Sequence, residues 1–278
     1  MTLMELASLP DIQAQPDGRN LAIDEVGVKD LRYPVTISSG GNEVPTIATL
    51  SMSVGLPGHA KGTHMSRFVE TLEALCEPLD MPAFRRLLLD MLQRLDARTG
   101  AIELRFPYFV RKAAPVTGVQ SQLDYQVLWR ATTEARGPLS FHLQVIVPAT
   151  SLCPCSKEIS QYGAHNQRSH ITLDLDLSED ITIEEAIATA EASASCEVYG
   201  LLKRPDEKYV TEHAYDNPKF AEDLVRDVAL ALRRDPRVIG FTVEVENFES
   251  IHNHSAFARI SHPPRAQANR RSLHAAAA

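Results

Sequence analysis

Alternating and helical patterns of apolar residues take turns along the chain, and their order repeats. Ala48, Leu50, Met52 and Val54 alternate with Thr49, Ser51 and Ser53, the period of a half-buried strand. A shorter strand is expected before it, around residues 35–39. Phe68, Val69, Leu72, Leu75 and Cys76 then fall at helical spacing. Phe84, Leu87, Leu88, Met91, Leu92 and Leu95 repeat that spacing behind Pro82, which suits a first helical turn. Two strands follow. One covers residues 102–110, and the other sets Leu123, Tyr125, Val127, Trp129 and Ala131 on one face, a stripe that reads as core.

The second half runs through the same order. Phe141, Leu143, Val145 and Val147 alternate, as do Ile171, Leu173, Leu175 and Leu177. Thr182 and Glu185 have the spacing of a capping box before an alanine-rich helix. Asn217 and Pro218 are expected to open a further helix with Phe220, Leu224, Val228 and Leu232 along one side. Phe241, Val243 and Val245 alternate, and a last strand is expected over residues 256–260. Each half reads β-β-α-α-β-β, a repeat of architecture rather than of residues. The expected fold class is α+β: two tandem ββααββ modules, residues 31–136 and 137–263, with antiparallel sheets. Open sheet edges in such modules need partners. Residues 1–30, punctuated by Pro10, Pro16 and Gly18, read as a mobile tail, and residues 264–278, ending in four alanines, as a disordered one.

Composition narrows the function classes. A chain of 278 residues suffices for one large domain or two smaller ones. Its net charge of −8 argues against nucleic-acid or anionic-membrane partners, yet leaves room for a local basic pocket. No apolar run approaches the ~18 residues of a membrane span, and the N-terminus lacks the pattern of a secretory signal. Four cysteines without export then suggest reduced thiols and a cytoplasmic location.

The chemistry concentrates in residues 151–170, SLCPCSKEISQYGAHNQRSH. Cys153, Cys155, His165 and His170 share what reads as an irregular connection between two strands. Bare connections of about twenty residues are uncommon and usually functional. Thiolate and imidazole together suit zinc or a similar divalent ion. Only Pro154 separates the cysteines, so the spacing is not that of a closed structural zinc site. Chemistry alone does not choose between Cys153 and Cys155. It also leaves open a pair of small buried thiols beside two surface histidines.

SLCPCSKEIS followed by YGAHNQRSH closely resembles the GTP cyclohydrolase IB family, the metal-dependent alternative to the usual folate-pathway cyclohydrolase. VGVKDLRYPV (26–35), KGTHMSRF (61–68), LLKRPDEKYVTE (201–212) and ENFESIHNHSAFA (246–258) extend the resemblance. It implies the tunnelling fold, with the two modules assembling into an oligomeric barrel, expected as a homotetramer. It implies that GTP and water yield formate and 7,8-dihydroneopterin triphosphate. It places a divalent metal ion (zinc, manganese or ferrous iron) on Cys153, His165 and Glu207. Glu207, in KRPDEKY, is expected in a loop between the two helices of the second half.

The resemblance also points to Glu222, expected in a first helical turn, as the guanine anchor. A carboxylate can accept from the N1–H and the exocyclic amine of guanine together. Glu249 and His252, in a loop with His254, are implied as groups near the substrate ring, and a Glu–His pair can move protons near neutral pH. Cys153 is implied as catalytic through the metal. His64 and His170 stay open between functional and structural roles. Lys61, Arg67, Arg168, Lys203, Arg204 and Lys208 are the candidate triphosphate partners, because no GxxxxGK[ST] loop is present. The alternatives are a nitrile reductase of the same fold, with a covalent cysteine and a nicotinamide cofactor, a cyclohydrolase making a cyclic phosphate, and a non-catalytic metal- or pterin-binding module. No matching nicotinamide motif is found for the first.

Overall fold

The structure is a computed structural model, and it describes residues 10–133 and 139–264. Residues 1–9 of the expected N-terminal tail, and residues 265–278 of the C-terminal one, lie outside the described residues. The elements run β1 (Ile23–Ser39), β2 (Asn42–Leu56), α1 (Ser66–Glu73), α2 (Met81–Arg94), β3 (Gly100–Ala113), β4 (Gln120–Thr133) and β5 (Ser140–Leu152). They continue α3 (Pro154–Ile159), β6 (Asn166–Leu177), α4 (Ile183–Glu191), β7 (Cys196–Glu197), α5 (Arg204–Asp216), α6 (Ala221–Arg234), β8 (Val238–Asn247) and β9 (Ala256–His262). Among the described residues no helix is long and apolar enough to cross a membrane.

The chain forms two compact units. Of the described residues, the first takes those up to Phe106 together with 128–133 and 139–141; the second takes Pro107–Val127 and those from His142 onward. In the first unit β1 and β2 form an antiparallel hairpin closed by Ser39 opposite Asn42. Its two-residue turn, Gly40 and Gly41, has φ of 54° and 81°, the left-handed pair that matches strand twist. Phe84, Phe106 and Phe141 surround Trp129 at ring-centroid distances of 5.4–6.0 Å. Of the stripe read as core, Tyr125, Val127, Trp129 and Ala131 are buried, and Leu123 at its start is only partly so. Asp80 caps α2 by accepting from the Ala83 N–H, and Pro82 sits in the first turn as expected.

In the second unit the strand order is β5-β6-β8-β9, with β7 paired to β5. One face of this antiparallel sheet is apolar: Leu143, Val145 and Val147 of β5, Ile171, Leu173 and Leu175 of β6, and Val243 and Val245 of β8 are all fully buried. The apolar stripes of α4 (Ile183, Ile187) and α6 (Leu224, Val228, Leu232) are buried with them. The capping box of α4 is formed. Thr182 Oγ1 accepts from the Glu185 N–H at 3.1 Å, and Glu185 Oε2 accepts from the Thr182 N–H at 2.8 Å.

Four elements differ from the sequence expectation. β1 starts at Ile23, because its first twelve residues bury neither face and so carry no period-2 signal. The segment 151–170 is not one irregular connection: β5 continues to Leu152, α3 follows, and β6 begins at Asn166. α6 begins at Ala221; Asn217 instead ends α5 as its C-cap residue. α5 itself was not expected, because only Asp206 and Ala214 of its thirteen residues are buried and no apolar stripe marks it.

Hydrogen bonds rather than an apolar face fix the start of α5. The buried Asp206 carboxylate accepts from the backbone N–H groups of Val116, Thr117 and Lys203 and from Thr117 Oγ1, at 2.7–2.9 Å. Burial alone would raise its pKa, but these donors win and hold it well below the usual carboxylate range.

A second polar cluster lies on β5 and β6. His142 is clamped between Asp174, at Nε2, and Asp176, 3.1 Å from Nδ1. Burial pushes the His142 pKa down, but the two carboxylates outweigh it and raise it to about 9. A raised folded-state pKa stabilises most below the unfolded value of about 6.5, and the contribution fades as pH rises through 9. The melting temperature should therefore fall between about pH 6.5 and 9, and less so in His142→Asn. Parallel melting curves of the two proteins across that range would contradict the assignment.

Candidate active site

The site is built at the end of β5. Leu152 closes the strand and Cys153 becomes the N-cap of α3, with Pro154 supplying the fixed φ of a first helical residue. Cys153 Sγ accepts a long 3.4 Å hydrogen bond from the Ser156 N–H and is partly exposed. Cys155 is exposed on the helix itself. The Cys153 N–H donates to the His165 carbonyl at 3.1 Å, which places the two residues side by side where β5 and β6 begin to pair. Ser156 fastens the corner: its Oγ accepts from the His165 N–H at 3.2 Å and donates to the Cys153 carbonyl at 3.1 Å.

The loop between β8 and β9 closes over the same corner. The Phe248 N–H donates to the Arg168 carbonyl at 2.9 Å, and the Phe248 ring meets His170 edge-on at 4.8 Å. Ser250 Oγ lies 3.4 Å from His165 Nδ1. Glu249 lies between these two anchored residues in the chain. His252 and His254 are exposed, with their rings stacked at 5.1 Å. Burial and the Arg168 charge push the His170 pKa down, with Glu246 opposing them. His170 thus supports the loop through its ring contact with Phe248.

Glu207 is not in a loop, as the sequence suggested, but in the first turn of α5. Val210 of that helix packs, with Ala164, against the cluster of Leu152, Cys196 and Ala214. Glu207, Val210 and Ala214 are spaced i, i+3, i+7 and so share one face. Glu207 therefore lies one turn beyond a residue that packs with the neighbours of Cys153 and His165. Its carboxylate is half exposed and accepts from Arg204 Nη1 at 2.8 Å. Among the described residues no group of three or more His, Cys, Asp or Glu side chains is gathered closely enough to hold a metal ion. The structure brings Cys153 and His165 together and puts Glu207 on the adjoining helix face, turned to Arg204.

Glu222 sits in the first turn of α6, exposed and without a hydrogen bond or ion pair among the described residues. The linker before it is tied to the site, because the Lys219 N–H donates to the Leu152 carbonyl at 3.0 Å. Lys219 Nζ donates to the Ser193 carbonyl and to Asp227 Oδ2, both at 2.7 Å, which holds the start of α6 in place.

The candidate phosphate partners divide. Lys61 donates to Gln15 Oε1, Arg67 to the Arg94 carbonyl, and His64 Nε2 lies 3.0 Å from Asp11, all within the first unit. Arg204 pairs with Glu207 and Lys208 with Glu212. Arg168 is exposed on β6 beside the loop, and Lys203 is the N-cap residue of α5. A groove of about 850 Å³ lined by Lys29, Glu103, Arg105 and Arg130 belongs to the first unit and contains none of the candidate catalytic, metal or phosphate residues.

Sequence reasoning missed Ser156, Gln167 and Ser250, the residues that hold Cys153 and His165. Gln167 had a readable signal. It follows His165 by two, which in extended chain puts both side chains on one side.

Comparison with known proteins identifies the family of the chain. A family model described as Type I GTP cyclohydrolase folE2 matches residues 9–258. "GTP cyclohydrolase FolE2 2" of Cupriavidus metallidurans is 57% identical over 260 residues, 93% of this chain and 97% of that protein. "GTP cyclohydrolase FolE2 1" of Dechloromonas aromatica is 58% identical over 261 residues, 94% of this chain and 98% of that protein. The crystal structure of a hyper-thermostable AgUricase mutant superposes with a TM-score of 0.51 at 7% identity, covering 90% of this chain and 94% of that one. That likeness shows a shared fold of antiparallel sheet and helices, and nothing further.

Proposed function

The chain belongs to the type I GTP cyclohydrolase FolE2 family, and from that premise we propose that the corner formed by Cys153, His165 and the loop from Phe248 to His254 is its metal-dependent active site. The protein is a GTP cyclohydrolase of folate synthesis. The observation that carries the site is the Cys153–His165 backbone bond, which makes a cysteine and a histidine neighbours where β5 and β6 meet, with Ser250 Oγ 3.4 Å from the histidine ring.

The donor chemistry fits a divalent ion. Among the described residues Cys153 has one weak N–H donor on its sulfur, and His165 has only its Nδ1 engaged. Cys153, His165 and Glu207 would hold the ion, with Glu207 exchanging Arg204 for it; zinc, manganese and ferrous iron all suit this mixed sulfur, nitrogen and oxygen set. When bound, the ion supplies a Lewis acid that activates water near neutral pH.

The chain's own groups do the rest. Glu222 accepts from the guanine N1–H and amine and orients the purine. Glu249 and His252, in the loop that Ser250 joins to His165, give and take protons at the imidazole ring of GTP as it opens, and carbon 8 leaves as formate. Ribose rearrangement and closure give 7,8-dihydroneopterin triphosphate. Arg168, Lys203 and Lys208, with Arg204 once released, are the cations proposed for the triphosphate. Two tunnelling-fold modules per chain, residues 31–136 and 137–263, are proposed to assemble as a cytoplasmic homotetramer. β1 and β9 support this, since they end the strand order of the described residues and, apart from the bridge from β1 to Leu79, each leaves an edge for another subunit.

Metal removal tests the reading. Chelation should abolish both formate release and pterin fluorescence from GTP, and added zinc or manganese should restore them. The restored activity should decline toward acid pH, where thiolate and imidazole ligands protonate. Full turnover in a preparation shown to be free of metal is the result that sinks it.

A further inference from the structure

We infer that Gln167 is the positioning residue that holds His165 in the tautomer with its proton on Nδ1, leaving the Nε2 lone pair free. The inference rests on the reading of His165 as a metal ligand. Gln167 is 7% exposed at the start of β6, and its Oε1 lies 3.0 Å from His165 Nδ1. A buried amide at an inward strand position costs stability unless both its ends are paired. Here the other end, Nε2, meets Ser151 Oγ at 2.7 Å.

The direction of that amide can be read from the hydroxyls behind it. Ser169 Oγ donates to Asn247 Oδ1 at 2.7 Å. Ser169 shares its single hydroxyl proton with Ser151 Oγ, which accepts at 2.9 Å. Ser151 Oγ accepts from Gln167 Nε2 in the same way, so the amide presents its NH₂ there and its oxygen to His165. An amide oxygen accepts and cannot donate. His165 must therefore carry hydrogen on Nδ1.

Ser151, Ser169 and Asn247 are each at most 3% exposed, so water does not compete along this relay. It spans β5, β6 and β8 and ends at the one imidazole beside Cys153. Histidines that bind metal through one nitrogen commonly have the other fixed this way, and loss of the fixing partner typically weakens metal binding by about 10–100-fold.

The test begins on metal-free protein with ¹⁵N-labelled histidine, at a pH where imidazole is neutral, using His165→Ala to assign the signal. Wild type should show His165 protonated at Nδ1. Gln167→Leu should give a mixture of tautomers and bind zinc about 10–100-fold more weakly. Gln167→Glu, which keeps an acceptor facing Nδ1, should restore both the tautomer and most of the affinity. A merely structural Gln167 would lower the melting temperature in both variants and move neither readout. Wild-type His165 protonated at Nε2, or a Gln167→Leu protein with unchanged tautomer and zinc affinity, overturns the inference. If His165→Ala binds zinc as tightly as wild type, the ligand reading fails instead, while the metal-free spectrum still decides the tautomer.

Discussion

Cys153→Ala should lower GTP turnover by about 10³-fold or more, whereas Cys155→Ala should keep measurable activity. A bound metal contributes several kcal/mol to such a reaction, and each ~1.4 kcal/mol is a factor of ten in rate. The two thiols differ in placement rather than in chemistry. Cys153 ends the β5 pairing and lies beside His165 through a 3.1 Å backbone bond. Cys155 lies two positions on, which in a helix turns it about 200° away, and it is exposed. The 3.4 Å bond that Cys153 Sγ accepts as N-cap is weak, and α3 has six residues, so its loss should cost little stability. Equal melting temperatures for the two variants and wild type would separate chemistry from folding. If Cys155→Ala is the inactive variant, the assignment is inverted.

Glu222→Gln should reduce kcat/KM for GTP at least ten-fold with the metal content unchanged. Among the described residues the carboxylate, in the first turn of α6, has no hydrogen bond or ion pair, and Lys219 fixes that turn to the end of β5. An ionised carboxylate offers two acceptors to the two N–H groups of guanine; glutamine offers one acceptor and one donor. The donor would face an N–H and leave it unpaired, a loss of about 1–3 kcal/mol, and more when the missing partner is charged. Steady-state kinetics on GTP measure this directly. Values matching wild type would make Glu222 an ordinary first-turn glutamate that only favours the helix dipole.

Elements with a buried face were legible in the sequence. β2, β5, β6, α2 and α6 each bury one regular stripe, so the periods of 2 and 3.6 were written in their apolar residues. The Thr182–Glu185 box was readable because its mechanism needs only two residues at a fixed spacing. α5 was hidden for the opposite reason. Its start is held by Asp206 accepting from residues about ninety positions earlier in the chain, and no local pattern encodes such a bond. The same holds at the site. The motif letters named Cys153 and His165, but the contacts that orient them come from Ser156, Gln167 and Ser250, which are ordinary polar residues in sequence. Glu207 was named by resemblance but assigned to a loop, because its helix lacks an apolar stripe.

Metal analysis of wild type, Cys153→Ala and Cys155→Ala, purified side by side, tests the central claim most directly. The account predicts a divalent ion in wild type and in Cys155→Ala, retained in proportion to turnover, and none in Cys153→Ala. A Cys153→Ala protein that keeps its full complement of metal would contradict it.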